Sequence, residues 1–140
     1  MRLSARTQYA CLAMLELAVR HDEGRPAPLR SLCDRQAIPE GFLVQILGDL
    51  RRAGLVASTR GAGGGYRLTL PPSEVSLAEV VDAIEGREPP CEPATGTALA
   101  RALDSFCDNL RQRQREQLEA VTLADLAAEA TPAAAPMWYI

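Results

Sequence analysis

Three kinds of residue in this chain could do chemistry: cysteine, histidine, and arginine set beside glycine. The four cysteines are Cys11, Cys33, Cys91 and Cys107. No two form a C-x-x-C pair, so the spacing of a zinc ribbon or a thioredoxin-like redox pair is absent. Cys11 and Cys33 fall in apolar stretches of helical period, where a cysteine acts as a small hydrophobe. Cys91 stands in the acidic, proline-rich stretch Arg87-Glu88-Pro89-Pro90-Cys91-Glu92-Pro93. The neighbouring carboxylates raise a thiol pKa, which works against a reactive thiolate there. His21 is the single histidine, no serine or cysteine has an activating base in view, and no carboxylate pair is framed by a pocket motif. The chain is not expected to be an enzyme.

The glycines are concentrated in Arg60-Gly61-Ala62-Gly63-Gly64-Gly65. Such a run can cradle phosphates, but neither G-x-x-x-x-G-K-[ST] nor G-x-G-x-x-G leading into a helix occurs, and the chain has no lysine. It lies between two strand-like runs, Val56-Ala57-Ser58-Thr59 and Tyr66-Arg67-Leu68-Thr69-Leu70. That arrangement is a hairpin with a guanidinium at the start of its loop. All 15 basic residues are arginine. Residues 1–70 hold ten of them against six acids, a local net of +4, and residues 71–140 hold five against twelve, a net of −7. The overall pI near 5.2 would repel DNA. The basic half nonetheless supplies the local positive potential that a phosphate-facing surface needs.

These residues need elements to position them. At 140 residues, 47% hydrophobic and 24% charged, the chain can bury a core. Aromatics are only 4%, and alanine and leucine dominate, which favours helix over sheet. No run is long and uncharged enough for a membrane span, and the apolar stretch from Leu12 to Val19 contains Glu16 and lacks a cleavage site for a signal peptide. The expected location is the cytoplasm, where a disulfide framework is not expected.

The apolar period predicts a first helix from Ser4 to Arg20, a short second helix from Leu29 to Gln36, and a third from Pro39 to Ala53, with Gly54 beyond its end. Leu32, Ile38, Phe42, Ile46 and Leu50 are expected to face inward. The two short helices read either as an ordinary helical corner or as a helix-turn-helix. The hairpin that follows at once favours the second, in the form of a winged helix.

Ser76-Leu77-Ala78-Glu79 is a capping box that opens a helix reaching Glu85. A loop over 87–97 leads to a long helix, Ala98 to Ala120, with Leu99, Leu103, Phe106 and Leu110 along a narrow seam. Such a seam suits pairing with a second chain. A short last helix begins at Thr122, and the Ala/Pro-rich end is expected to be flexible. The fold class is therefore mainly α: a winged helix-turn-helix with a two-stranded β wing and a long C-terminal dimerisation helix. Residues 1–72 form the DNA-binding part, 73–127 the effector loop and dimerisation helices, and 128–140 the tail.

The opening Met1-Arg2-Leu3-Ser4 with Tyr9-Ala10, the run Gly54-Leu55-Val56, the loop Arg60-Gly61-Ala62-Gly63-Gly64-Gly65-Tyr66-Arg67-Leu68, and Thr122-Leu123-Ala124-Asp125-Leu126 together resemble the Rrf-two family of bacterial winged-helix regulators. The resemblance extends over residues 1 to about 127. It implies a homodimeric transcription factor, expected to repress, that binds a near-palindromic operator in double-stranded DNA. By winged-helix geometry the third helix enters the major groove and the wing the minor groove. That nominates Glu40, Gly41, Val44 and Gln45 for the groove-facing surface, with Gln45 able to contact adenine in bidentate fashion. Arg51 and Arg52 are assigned to phosphates, and Arg60 to the minor groove with Gly61, Gly63 and Gly64 beside it. Family members often carry a glutamate where Val44 aligns, so operator preference is expected to differ.

Several members of the family hold an iron–sulfur cluster on three cysteines before the long helix. Cys91 matches the first of these. Glu92 to Thr97 offers no second or third, and Arg101 falls near the third position. Cys107 lies within the long helix, where it reads as a seam residue. A two-cysteine set of Cys91 and Cys107, completed by Gln8 or Cys11 of the partner subunit, remains as the metal-binding alternative, although such clusters ordinarily take four donors. No cofactor is favoured. The signal is left open between thiol chemistry at Cys91, a cluster, a small molecule or partner protein, and none. The rival from another class is a winged-helix protein-interaction module that does not bind DNA.

Overall fold

The computed structural model describes residues 3–87 and 96–130. Helix α1 (Ala5–Val19) starts at Ser4, whose hydroxyl accepts from the Thr7 N–H at 3.2 Å. Ala10, Ala13 and Met14 are fully buried. These alanines let other helices approach closely, and α1 is the central element against which the third, fourth and sixth helices pack.

Helix α2 (Leu29–Gln36) ends at Ala37, a non-glycine residue at φ 52°. Ile38 then turns inward and its N–H donates to the Cys33 carbonyl at 3.1 Å. Helix α3 (Glu40–Arg52) follows, with Pro39 as its cap rather than in its first turn. Gly54 takes the expected left-handed conformation past its end, at φ 80°.

Leu32, Ile38, Ile46 and Leu50 face the core as the period predicts. Phe42 does not: it is 53% exposed, and Leu43 occupies the inward position. The buried set Leu43, Ile46, Leu47 and Leu50 recurs at the helical period and forms one narrow stripe, which Phe42 precedes by one residue. Phe42 instead leans its ring against Tyr9 of α1, centroids 6.1 Å apart.

The hairpin consists of β1 (Val56–Thr59) and β2 (Gly65–Leu68), antiparallel, with Val56 opposite Leu68 and Thr59 opposite Gly65. A third backbone segment joins its edge. Ala27 and Tyr66 exchange both N–H···O bonds, each 2.8 Å. Two glycines are demanded by this packing. A Cβ on Gly64 would stand 2.1 Å from the Thr59 carbonyl oxygen, and one on Gly65 would stand 2.3 Å from that of Ala27.

Helix α4 (Leu77–Glu85) is capped by Ser76, whose hydroxyl accepts from the Glu79 N–H at 3.3 Å. Helices α5 (Ala98–Ala120) and α6 (Leu123–Ala130) complete the chain, so α6 runs three residues past position 127. Thr122 and Asp125 cap α6 reciprocally at 2.9 and 3.1 Å. Backbone bonds from Leu77 to Val121 and from Leu123 to Val75, both 2.9 Å, tie the starts of α4 and α6 together. Val75, Leu77, Val80 and Leu123 join the same hydrophobic core as α1 and α3.

Helix α5 is different. At about 1.5 Å per residue it is roughly 35 Å long, and none of its residues is buried. Its far end is anchored: Arg115 pairs with Asp82 of α4 at 2.6 Å and with Glu119 at 2.7 Å, and Leu118 and Val121 pack against the core. Leu99, Leu103, Phe106 and Leu110 are 84, 62, 59 and 51% exposed.

Candidate nucleic-acid interface

Because the stripe Leu43–Leu50 holds α3 to the core, the opposite side of the helix is presented outward. Glu40, Gly41, Val44, Gln45, Arg51 and Arg52 are all exposed there. The candidates on α3 therefore share an outward-facing helix surface. The arginines are not equivalent. Arg51 donates to the Ser58 hydroxyl of β1 at 3.3 Å, which links the end of α3 to the wing. Arg52 pairs with Asp49, and Arg6 of α1 reaches the same carboxylate. Asp49 thus neutralises part of the charge assigned to the phosphate-facing side.

Arg60 is exposed at the start of the hairpin loop and has no ion pair or hydrogen bond among the described residues. The loop is closed by the Gly64 N–H donating to the Gly61 carbonyl at 3.0 Å, with Gly61 at φ 100°. Gly61 and Gly64 therefore have structural reasons to be glycine. Gly63 has neither a positive φ nor a neighbour within 4 Å of a Cβ built on it.

Two polar clusters behind this surface are not evident from the sequence. Glu16, buried in α1, accepts from Arg20 Nε at 3.0 Å, Gln36 Nε2 at 3.0 Å and Arg35 Nε at 3.4 Å. Burial works against its ionisation, but the Gln36 hydrogen bond and the Arg20 and Arg35 charges outweigh that and hold the carboxyl below its ordinary range. The cluster fixes α2 on α1. Its one signal in the sequence is a lone acid inside the apolar stretch Leu12–Val19. The second cluster is Glu85, which accepts from the hydroxyls of Thr7 at 2.6 Å and Ser4 at 3.0 Å, closing the end of α4 on the start of α1. The Thr7 bond, opposed by burial and helped by Ser4, keeps its carboxyl low.

The cysteines do not gather. Cys11 and Cys33 are buried in the core as small hydrophobes. Burial, with Glu85 nearby, pushes the Cys11 thiol up to about 11, and burial followed by Glu40 and Asp34 raises that of Cys33. Cys107 is half-buried on α5. Cys91 lies outside the described residues. Among the described residues no three His, Cys, Asp or Glu side chains are grouped to hold a metal. Thiols of raised pKa inside a core are poor ligands, since the thiolate is the binding form. The described donors do not fit a cluster.

A helix-turn-helix whose second helix faces outward, followed by a glycine hairpin carrying an arginine unpaired among the described residues, defines a winged helix. The sequence matches the Rrf2 family, described as iron-dependent transcriptional regulator, over residues 3–129. The chain belongs to that family. It is 46% identical over 85 residues to the HTH-type transcriptional regulator IscR of Aliivibrio salmonicida (strain LFI1238), covering 61% of this chain and 50% of that protein. The chain thus spans about half the length of that relative. Its fold is similar to that of CymR (YrzC), the global cysteine regulator of B. subtilis, with TM-score 0.84, 32% identity, and coverage of 94% of this chain and 99% of that one. It is also similar to T. potens IscR, with TM-score 0.82, 30% identity, and coverage of 99% and 95%.

Proposed function

We propose that the chain acts as a homodimeric, sequence-specific DNA-binding regulator of transcription, working as a repressor in the cytoplasm. Residues 1–72 read the duplex and 73–127 pair the two copies. The observation that carries this reading is Arg60, a guanidinium unpaired among the described residues on a hydrogen-bonded glycine hairpin beside an outward-facing helix. Phosphate contacts supply affinity and salt dependence, and base contacts from Gln45 and its neighbours supply selection. The exposed seam of α5 supports pairing, because Leu99, Leu103, Phe106 and Leu110 form a contiguous apolar row that water disfavours. Two reading heads on one two-fold axis suit a near-palindromic site.

The test is a mobility shift with the full chain on a duplex selected from random sequence. Arg60→Ala is expected to weaken binding by about tenfold or more while the dimer, checked by sedimentation, stays intact. Unchanged binding would overturn the wing assignment. Binding that is absent even for the wild type at low salt would instead favour the protein-interaction module.

For the signal, we propose a response that does not depend on a resident iron–sulfur cluster. The described cysteines offer two core thiols and one on the flank of α5, which is not a ligand set for iron. Anaerobic purification with iron and sulfide assays tests this. A coloured protein with stoichiometric iron and sulfide would overturn it and bring Cys91 and Cys107 back as ligands.

A further inference from the structure

We propose that a cleft at the base of the wing grips a phosphate of the DNA backbone, a further anchor on each protomer beside the phosphate contacts assigned to Arg51 and Arg52 and behind the wing tip where Arg60 is assigned to the minor groove. It rests on the DNA-binding reading above and extends it to residues outside that site. The cleft, about 200 Å³, lies between the end of α1 and β2. Its floor is apolar, with Leu17, Ala27 and Leu68, and its rim carries Arg20, His21, Arg25 and Arg67. Among the described residues no carboxylate lines it; Asp22 and Glu23 belong to the neighbouring turn but do not reach the lining.

The cations differ in their availability. Arg20 is committed, donating to Glu16 and, at 2.6 Å, to the Ser31 hydroxyl. Arg25 and Arg67 are exposed and have no ion pair or hydrogen bond among the described residues. They stand on neighbouring backbones: Arg67 follows Tyr66, Arg25 lies two residues before Ala27, and Ala27 and Tyr66 are clamped by two 2.8 Å hydrogen bonds. Gly65 permits that close approach. Both free guanidiniums line the one cleft, on backbones held together by the Ala27–Tyr66 hydrogen bonds, which lowers the entropy cost of gripping one anion.

The position suits the duplex. Arg67 is opposite Ala57, and Arg60 lies three residues beyond Ala57 toward the tip. At about 3.3 Å per strand residue the cleft sits roughly 10 Å behind Arg60, or about three steps of a DNA strand at ~3.4 Å each. With the tip in the minor groove, the cleft meets a flanking backbone phosphate.

The experiment compares the wild-type full chain with the double variant Arg25→Ala/Arg67→Ala and its lysine counterpart, Arg25→Lys/Arg67→Lys, by fluorescence anisotropy on one duplex over a range of salt. The alanine variant is expected to flatten the slope of log affinity against log salt by roughly one unit for each phosphate it no longer neutralises. The weakening should be the same on specific and random duplexes, the melting temperature unchanged, and the slope largely restored by lysine. An unchanged slope, with wild-type binding intact, overturns the cleft proposal alone. Titration with inorganic phosphate, followed by the His21 ring resonances, separates the sources. Saturable binding of free phosphate together with an unchanged DNA slope assigns the cleft to a small anion and overturns the proposal. A wild type without salt-dependent duplex binding overturns the regulator reading itself, and the cleft proposal with it.

Discussion

Helices α3 and α5 have the same kind of apolar periodicity and opposite fates. In α3 the stripe Leu43, Ile46, Leu47 and Leu50 is fully buried against its own subunit, and the polar side is left to face a ligand. In α5 the stripe Leu99, Leu103, Phe106 and Leu110 is more than half exposed among the described residues, while the polar residues near its far end, Arg115 above all, tie it to α4. An amphipathic helix is stabilised mainly by packing its apolar face. One helix is thus satisfied at home and free to read. The other has its apolar face left exposed, and the proposed pairing of two copies would cover that face and couple the two roles through a shared two-fold axis.

The largest expected effect breaks this contrast at α5. Leu103→Asp with Phe106→Asp should convert the proposed dimer to a folded monomer by sedimentation velocity, with helical content by circular dichroism preserved. Each buried Leu or Phe is worth about 1.5–3 kcal/mol, counted twice across a two-fold interface. An unchanged mass would show that the seam is not the interface. Next, Leu47→Ala should destabilise the subunit by about 2–5 kcal/mol in urea denaturation, whereas Leu103→Ala, at an exposed position, should leave the unfolding of the isolated subunit almost unaltered. Equal effects at the two sites would erase the distinction between a stripe packed at home and a stripe kept for a mate.

A smaller effect is expected at Glu16→Gln, about 1–3 kcal/mol at neutral pH from removal of the charge-assisted bonds that hold α2 on α1. The Glu16 carboxyl is held below its ordinary range, so the stability it contributes is present at neutral pH and lost as pH falls through the lowered folded pKa. The variant should therefore show a shallower acid limb in a plot of melting temperature against pH, and an identical acid limb would contradict the network. The smallest effect sharpens the α3 side. Gln45→Ala should relax preference at one base pair by about tenfold, or ~1.4 kcal/mol, with affinity for random duplex unchanged.

Much of this is legible in the residues. The order helix, turn, helix, hairpin follows from Pro39, Gly54 and the glycine run, because caps and turns depend on local backbone chemistry. The α5 seam follows from its 4-3-4 spacing. Phe42 departs from its expected inward place because a one-residue shift of phase on a short helix is decided by which side chain the core accommodates, and apolar character alone does not contain that. The Ala27–Tyr66 bridge is invisible for a related reason: it joins backbone groups far apart in sequence, with no side-chain signal except that Gly65 must be bare. The Glu16 and Glu85 clusters each draw on residues from separate helices, so the sequence shows only their isolated members.

By itself the sequence determined the local elements, their caps, the glycine hairpin and the uneven distribution of arginine and acid, all properties of neighbouring residues and of sums. Only the tertiary structure decided which arginines remain available. Asp49 takes up Arg52 and Arg6, Glu16 takes up Arg20, and Arg60, Arg25 and Arg67 are left unpaired among the described residues. The physical reason is distance: an ion pair forms within a few ångströms of space, and packing rather than chain order brings a charge and its partner that close.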